Sequence, residues 1–129
     1  MSRLLLDTHV VLFWWARSSK LGEAAQEAIS LADTEVHVSV ATGWEIATKF
    51  RIGKLAFVGD PAIHMPQMME AHRFVFLPIK ADHALRAGSL PGDHRDPFDR
   101  MIAAQALIED MTVVTRDPEI AGFGCKVLW

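Results

Sequence analysis

Short apolar runs alternate along the chain with longer stretches of helical spacing. Leu4-Leu5-Leu6 is apolar at consecutive positions and stops at Asp7-Thr8, the pattern of a buried strand handing over to a helix cap. Val10-Val11-Leu12-Phe13-Trp14-Trp15 has no polar position, so a helix here lacks a solvent face: part of it meets the core and part something else. Gly22 to Ala32 sets Ala24, Ala25, Ala28, Ile29 and Ala32 at helical spacing, and Glu35 to Val40 alternates with period two as a strand. Thr42 to Phe50 places Trp44, Ala47 and Phe50 three apart on a helix, and Pro61 to His72 predicts another that Pro66 must break or kink. Phe74 to Leu77 is a third strand closed by Pro78, Ala81 to Ala87 a short helix, and Leu90-Pro91-Gly92-Asp93 a turn. Pro97 to Ile108 is the strongest helix, Thr112 to Thr115 a further strand, and Lys126-Val127-Leu128 the last. Strands alternating with helices predict an α/β fold, a parallel sheet covered on both faces as a three-layer sandwich.

Composition narrows the class. With 129 residues and no repeat, low-complexity run or linker, the chain reads as one domain over 1–129. Half of the residues are hydrophobic and 22% are charged, which excludes disorder. Cys125 stands alone, so neither a disulfide framework nor a Cys-rich zinc module is available. The three leucines near the start are too few for a secretory signal or a membrane span, and the expectation is a cytoplasmic protein with no membrane contact. The net charge of −3 speaks against binding nucleic acid by bulk positive charge. It leaves room for a local basic rim, or for an acidic pocket whose cations supply the missing charge.

That pocket has candidates. Ligands gather beyond the carboxyl ends of the strands in an open parallel sheet. Asp7 follows the first strand, Glu45 lies in the helix after the second, Asp96 and Asp99 open the strong helix, and Asp117 follows Val113-Val114-Thr115. Carboxylates that converge repel unless protonated or bound to cations, and their hard oxygens suit Mg²⁺ or Mn²⁺. A site of that kind activates water and steadies charge on a phosphodiester. Each acid also stands where a helix favours a carboxylate. Asp7 and Asp117 read as N-caps, Asp96-Pro97-Phe98-Asp99 as N-cap to N3, and Thr42-Gly43-Trp44-Glu45 as a capping box. Spacing alone does not choose between capping and chemistry.

A resemblance adds what spacing lacks. Leu5-Leu6-Asp7-Thr8-His9, then Trp44-Glu45-Ile46-Ala47 with Lys49 and Gly53-Lys54-Leu55, occur in that order. His94-Arg95-Asp96-Pro97-Phe98-Asp99-Arg100, Ala103-Ala104-Gln105-Ala106 and Val114-Thr115-Arg116-Asp117 follow. The set resembles the PIN-domain ribonuclease toxins, the VapC-like half of bacterial type II toxin–antitoxin pairs, from Leu4 to Trp129. The Asp-Pro-Phe-Asp-Arg block is the specific part; Asp-Thr or Thr-x-Asp alone is weak. The resemblance implies a parallel sheet of about five strands between helices. It also implies a metal-dependent endoribonuclease using Mg²⁺ or Mn²⁺, with an acidic quartet at Asp7, Glu45, Asp99 and Asp117. An RNA substrate, a cognate antitoxin and a homodimer come with it as partners.

The remaining features are read against plainer roles. Asp96 is assigned to capping at the margin of the site, and Thr8 and Thr115 to hydrogen bonds behind the carboxylates. Lys49, Arg95, Arg100 and Arg116 lie beside the acids in sequence and are candidates for phosphate contact, with Arg100 alternatively pairing with Asp96 at i,i+4. None of the six histidines shows zinc-like spacing; His9 is the one adjacent to a quartet acid, and a structural role is preferred for it. Met65, Met68 and Met69 read as core filler. Trp14 and Trp15 are adjacent on a helix, so one is expected to leave the core and mark a partner surface. Two other classes compete. A non-catalytic binding module on the same fold would have lost a quartet acid, and none is lost. An aspartate-based phosphotransfer domain of the receiver or dehalogenase type needs an acidic pair or Asp-x-Asp after the first strand, where this chain has Asp7-Thr8-His9.

Overall fold

Leu4 and Leu6 point into one apolar core and Leu5 into another, so the first strand is buried on both faces. That follows from its unbroken apolar run, which only a sheet covered on two sides accommodates. The computed structural model describes residues 2–55 and 59–129; Met1 and residues 56–58 of the expected 1–129 domain lie outside the described residues.

The strands are β1 (Arg3–Leu6), β2 (Glu35–Ser39), β3 (Val75–Leu77), β4 (Thr112–Val114) and β5 (Val127–Leu128). They form one sheet in the order β3-β2-β1-β4-β5, every neighbouring pair parallel. The helices are α1 (Thr8–Trp15), α2 (Glu23–Ser30), α3 (Val40–Arg51), α4 (Pro61–Ala71), α5 (Ala81–Ser89), α6 (Pro97–Glu109) and α7 (Pro118–Gly122). Residues of α1, α2, α3 and α4 join Leu4, Leu6, Val36 and Val38 in the larger core. Ile102 and Ala106 of α6 and Ile120 of α7 close the other face over Leu5 and Val113, and α5 packs on α6 through Ala87. The expected five-stranded three-layer α/β/α architecture is present.

Two local expectations are corrected and a third is met. Val40 belongs to α3, because Ser39 ends β2 and its hydroxyl accepts from Ala41 N at 3.0 Å, so that the helix starts two residues before Thr42. The helix α4 runs through Pro66 without a break. Pro66 and Ala62, whose carbonyl it leaves without an N–H partner, both face solvent, where water replaces that bond. A short α7 follows Asp117, as its cap and Pro118 at the first helical position imply.

The chain moves from β1 outward through β2 to β3, then returns to place β4 on the other side of β1. The strand order therefore reverses between β1 and β4, and the crevice beyond their carboxyl ends is where an open sheet of this kind binds ligands. Asp7 and Thr115 stand at those two ends.

Candidate active site

Asp7, Asp96, Asp99 and Asp117 are each set by a helix start, and the strand order brings those starts together. Asp7 caps α1: its Oδ1 accepts from Val10 N at 2.9 Å, while its other oxygen accepts from the Thr115 hydroxyl across the β1–β4 gap. The same hydroxyl accepts from Asp117 N at 3.0 Å, so Thr115 ties Asp7 to Asp117. Asp117 caps α7 through Glu119 N at 2.9 Å. Asp96 caps α6, its Oδ1 accepting from Phe98 N at 2.9 Å and Asp99 N at 3.2 Å, which leaves Asp99 in the first turn facing the crevice. Capping and site geometry are thus one arrangement, since a helix N-terminus also favours negative charge nearby.

His94 completes the cluster. Its Nε2 donates to Asp99 Oδ2 at 2.9 Å and its Nδ1 faces the Glu119 carboxylate. One ligand atom from each of His94, Asp99 and Asp117 lies within 4.8 Å of the others. Glu45 stands apart from that trio. It is 7% exposed, its Oε1 accepts from Thr8 Oγ1 at 2.6 Å and its Oε2 pairs with Lys49 Nζ at 2.9 Å. Thr8 also lies 3.1 Å from Thr42 Oγ1, so the link from Glu45 to Asp7 runs through the residue that follows Asp7. The capping box expected over Thr42–Glu45 does not form; with α3 starting at Val40, Glu45 sits in the second turn.

Crowding and burial shape the charges. Burial pushes the Asp7 carboxyl up, with the Asp117 charge adding to it, against the hydrogen bonds from Thr115 and Val10. The Asp99 carboxyl is pushed up to about 6, chiefly by burial and further by the charges of Asp96 and Asp117. His94 is lifted above the usual imidazole range by its hydrogen bond to Asp99, and the Glu119 charge adds to this. Buried acids held near one another at the cost of their ionisation are a signature of a working site. Asp96 provides a check on the cap. Asp96→Ala is expected to cost about 0.5–2 kcal/mol in urea denaturation and Asp96→Asn only a few tenths, since Asn caps as well as Asp; equal losses would mean that charge, not capping, is what Asp96 contributes.

The family model of the PIN domain matches residues 4–124. The chain belongs to the PIN-domain family. It is 31% identical over 119 residues, 91% of this chain and 88% of the relative, to Ribonuclease VapC22 of Mycobacterium tuberculosis (strain ATCC 25618 / H37Rv). Among solved structures, the fold is similar to VapBC2 from Rickettsia felis bound to a DNA fragment from its promoter, at a TM-score of 0.72 and 15% identity over 98% of this chain and 97% of that one. It is similar also to VapBC-1 from nontypeable Haemophilus influenzae, at a TM-score of 0.70 and 17% identity over 98% and 96% of the two chains.

Within this PIN domain the other expected residues divide. Arg100 does not pair with Asp96. Its Nε donates to Ala87 O and one terminal nitrogen to His94 O, both at 2.9 Å, and the other to Leu90 O, with the guanidinium 5.5 Å from the Phe123 ring centre. With each nitrogen donating to a carbonyl, Arg100 holds the segment that carries His94. Arg116 lies over Phe13 and Trp129, 5.4 and 5.3 Å from their ring centres, and Lys49 holds Glu45. Arg95 is exposed on the loop before α6. Trp14 and Trp15 are both half-buried against the larger core, so neither leaves it. Trp14 packs on His72 and Phe74, and both tryptophans line a groove of about 1000 Å³ between the end of α1 and α4. Met65, Met68 and Met69 are core, as expected. The roles of His94 and Glu119 are not visible in the sequence. Only the position of His94 at the head of the Asp96–Asp99 block hints at its part, because five residues on a loop fix no direction.

Proposed function

We propose that this PIN domain is a divalent-metal-dependent endoribonuclease, the toxin of a type II toxin–antitoxin pair acting in the cytoplasm. The carrying observation is the convergence of Asp99, Asp117 and His94 within 4.8 Å, with Asp7 joined to Asp117 through Thr115. A set dominated by carboxylate oxygens fits Mg²⁺ or Mn²⁺. Asp7, Asp99 and Asp117 would hold the ion, with Glu45 at the margin. A bound divalent cation supplies an activated water and neutralises charge on the scissile phosphodiester. The chain's own part is to present ionised carboxylates in fixed positions. Thr115 and Val10 N–H hold Asp7, Thr8 and Lys49 hold Glu45, and His94 holds Asp99 while its lifted basicity offsets the cluster's charge. The relative named Ribonuclease VapC22 supports RNA as the substrate.

Cation binding requires Asp99 to lose its proton, so affinity rises with pH through about 6 and falls below it. Mn²⁺ titrated calorimetrically at pH 5 and pH 7.5 is expected to bind at least about tenfold more weakly at the lower pH. Equal affinity at both would contradict the assignment of Asp99.

For partners, we assign a homodimer and an antitoxin segment laid along the Trp14–Trp15 groove, with an arginine at the acids, because a planar guanidinium meets a carboxylate with two hydrogen bonds. Solved relatives include a toxin–antitoxin complex from Klebsiella pneumoniae, which supports such a pairing. Sedimentation is expected to give a dimer, and Trp14→Ala and Trp15→Ala each to weaken antitoxin binding; a monomer at tens of micromolar, or unchanged affinity in both folded variants, would contradict these assignments. No described helix is long and apolar enough to cross a membrane.

A further inference from the structure

An aromatic feature beside the acids has no part in the chemistry above. Trp44 is 66% exposed although it precedes the buried Glu45 on α3. Its ring meets Phe98 nearly at right angles, with centroids 5.1 Å apart. Phe98 is itself fixed, because its backbone N–H donates to the Asp96 cap one residue before Asp99. The cap that aims Asp99 therefore also sets the ring that steadies Trp44, while most of the indole stays open. Beside Phe98 lies a cleft of about 330 Å³, at the small end for ligand clefts, whose lining combines apolar Phe98, Pro97 and Ile52 with Lys54 and the Glu45–Lys49 ion pair.

We infer that Trp44, buttressed by Phe98, is a stacking platform for an unpaired nucleobase flanking the scissile phosphate, with Lys54 taking the backbone beside it. The inference rests on the nuclease reading, which puts a phosphodiester at Asp99. An aromatic side chain receives any base by its flat face, but only a base that is not already stacked within a duplex. Charge favours this occupant. Lys54 has no ion pair among the described residues, and a nucleotide brings the phosphate that such a lysine meets. An apolar protein anchor on the same indole would bury the Lys54 ammonium beside it with no counter-charge in return. Trp44 thus selects for an unpaired position in the substrate while leaving base identity open.

The test uses the full chain with Mn²⁺ and a short unstructured oligoribonucleotide. Trp44→Ala is expected to raise KM about tenfold with kcat little changed, and Trp44→Phe to restore most of the loss, since stacking on an aromatic ring is worth that much binding. Anisotropy on an Asp99→Asn background, where cleavage does not intervene, is expected to show the same loss of affinity. Removing the base at one position of the oligonucleotide should then abolish the difference between the parent chain and its Trp44→Ala variant. An unchanged KM in Trp44→Ala, or a penalty that persists at every abasic position, overturns the platform. So does a Trp44→Ala chain that turns from dimer to monomer with RNA affinity intact, which would assign the indole to contact between copies. If the parent chain itself neither binds nor cleaves RNA, the nuclease reading fails and the platform falls with it, a result distinct from a defect confined to Trp44 variants.

Discussion

Asp99→Asn is expected to lower RNA cleavage by at least about 100-fold, because partners one shell removed from a metal already cost 10–100-fold when lost. The substitution keeps the side-chain volume and the first-turn position on α6, and removes only the charge. The fold should therefore survive and even gain. In the folded chain the Asp99 carboxyl ionises at about 6, whereas an unfolded aspartate does so near 4. Between those values the folded state holds the extra proton, so its stability falls as pH rises through that window, and the loss is complete above about 6. Asparagine has no such loss, and the variant should be more stable by about 1 kcal/mol at pH 7 without metal, after discount for partial exposure. Asp7→Asn should show the same loss of cleavage, since Asp7 is more deeply buried and is held from both sides. Cleavage assays and urea denaturation on the same preparations separate the two effects. Wild-type rates in Asp99→Asn would remove that residue from the site.

Arg100→Ala is expected to destabilise the fold by about 2–4 kcal/mol. The guanidinium donates to the carbonyls of Ala87, Leu90 and His94, closing the segment between α5 and α6 over the face of Phe123. A bond from a charged donor contributes about 1.5–3 kcal/mol, and carbonyls left without a partner add a penalty where water does not reach them. Arg100→Lys should recover little, because an ammonium on a flexible stem cannot serve three carbonyls spread along one fork. Cleavage should fall as well, although Arg100 touches no acid of the cluster, because His94 stands on the segment that it holds. Urea denaturation checks the stability, and a loss below about 0.5 kcal/mol would return Arg100 to the solvent-facing candidates.

The elements are legible in the sequence because burial on both faces of the sheet writes an unbroken apolar run into β1, and several helix starts are marked by the acids that cap them. Asp7, Asp96 and Asp117 occupy the cap positions expected of them. The start of α3 differs from the expected one because Ser39 serves as the last strand residue and the cap at once, so no loop separates the two patterns. Convergence of the acids is not in the spacing. It follows from the reversal of strand order between β1 and β4, and that depends on pairings far apart in sequence. The roles of His94 and Arg100 escape the sequence for a related reason. Both act on a loop whose path is set by tertiary hydrogen bonds, and periodicity carries no information about such a path. Trp44 falls on a helical apolar spacing with Ala47 and Phe50, which suggests a buried face, yet all three are exposed.

On the proposed reading, carboxylates gathered at the carboxyl ends of β1 and β4 cleave RNA by holding a divalent cation. Cleavage of a fluorogenic oligoribonucleotide by the wild-type chain in excess EDTA, followed by addition of Mn²⁺ beyond the chelator, tests it most directly. No cleavage in EDTA and full recovery with Mn²⁺ is the result expected; undiminished cleavage in EDTA would contradict it.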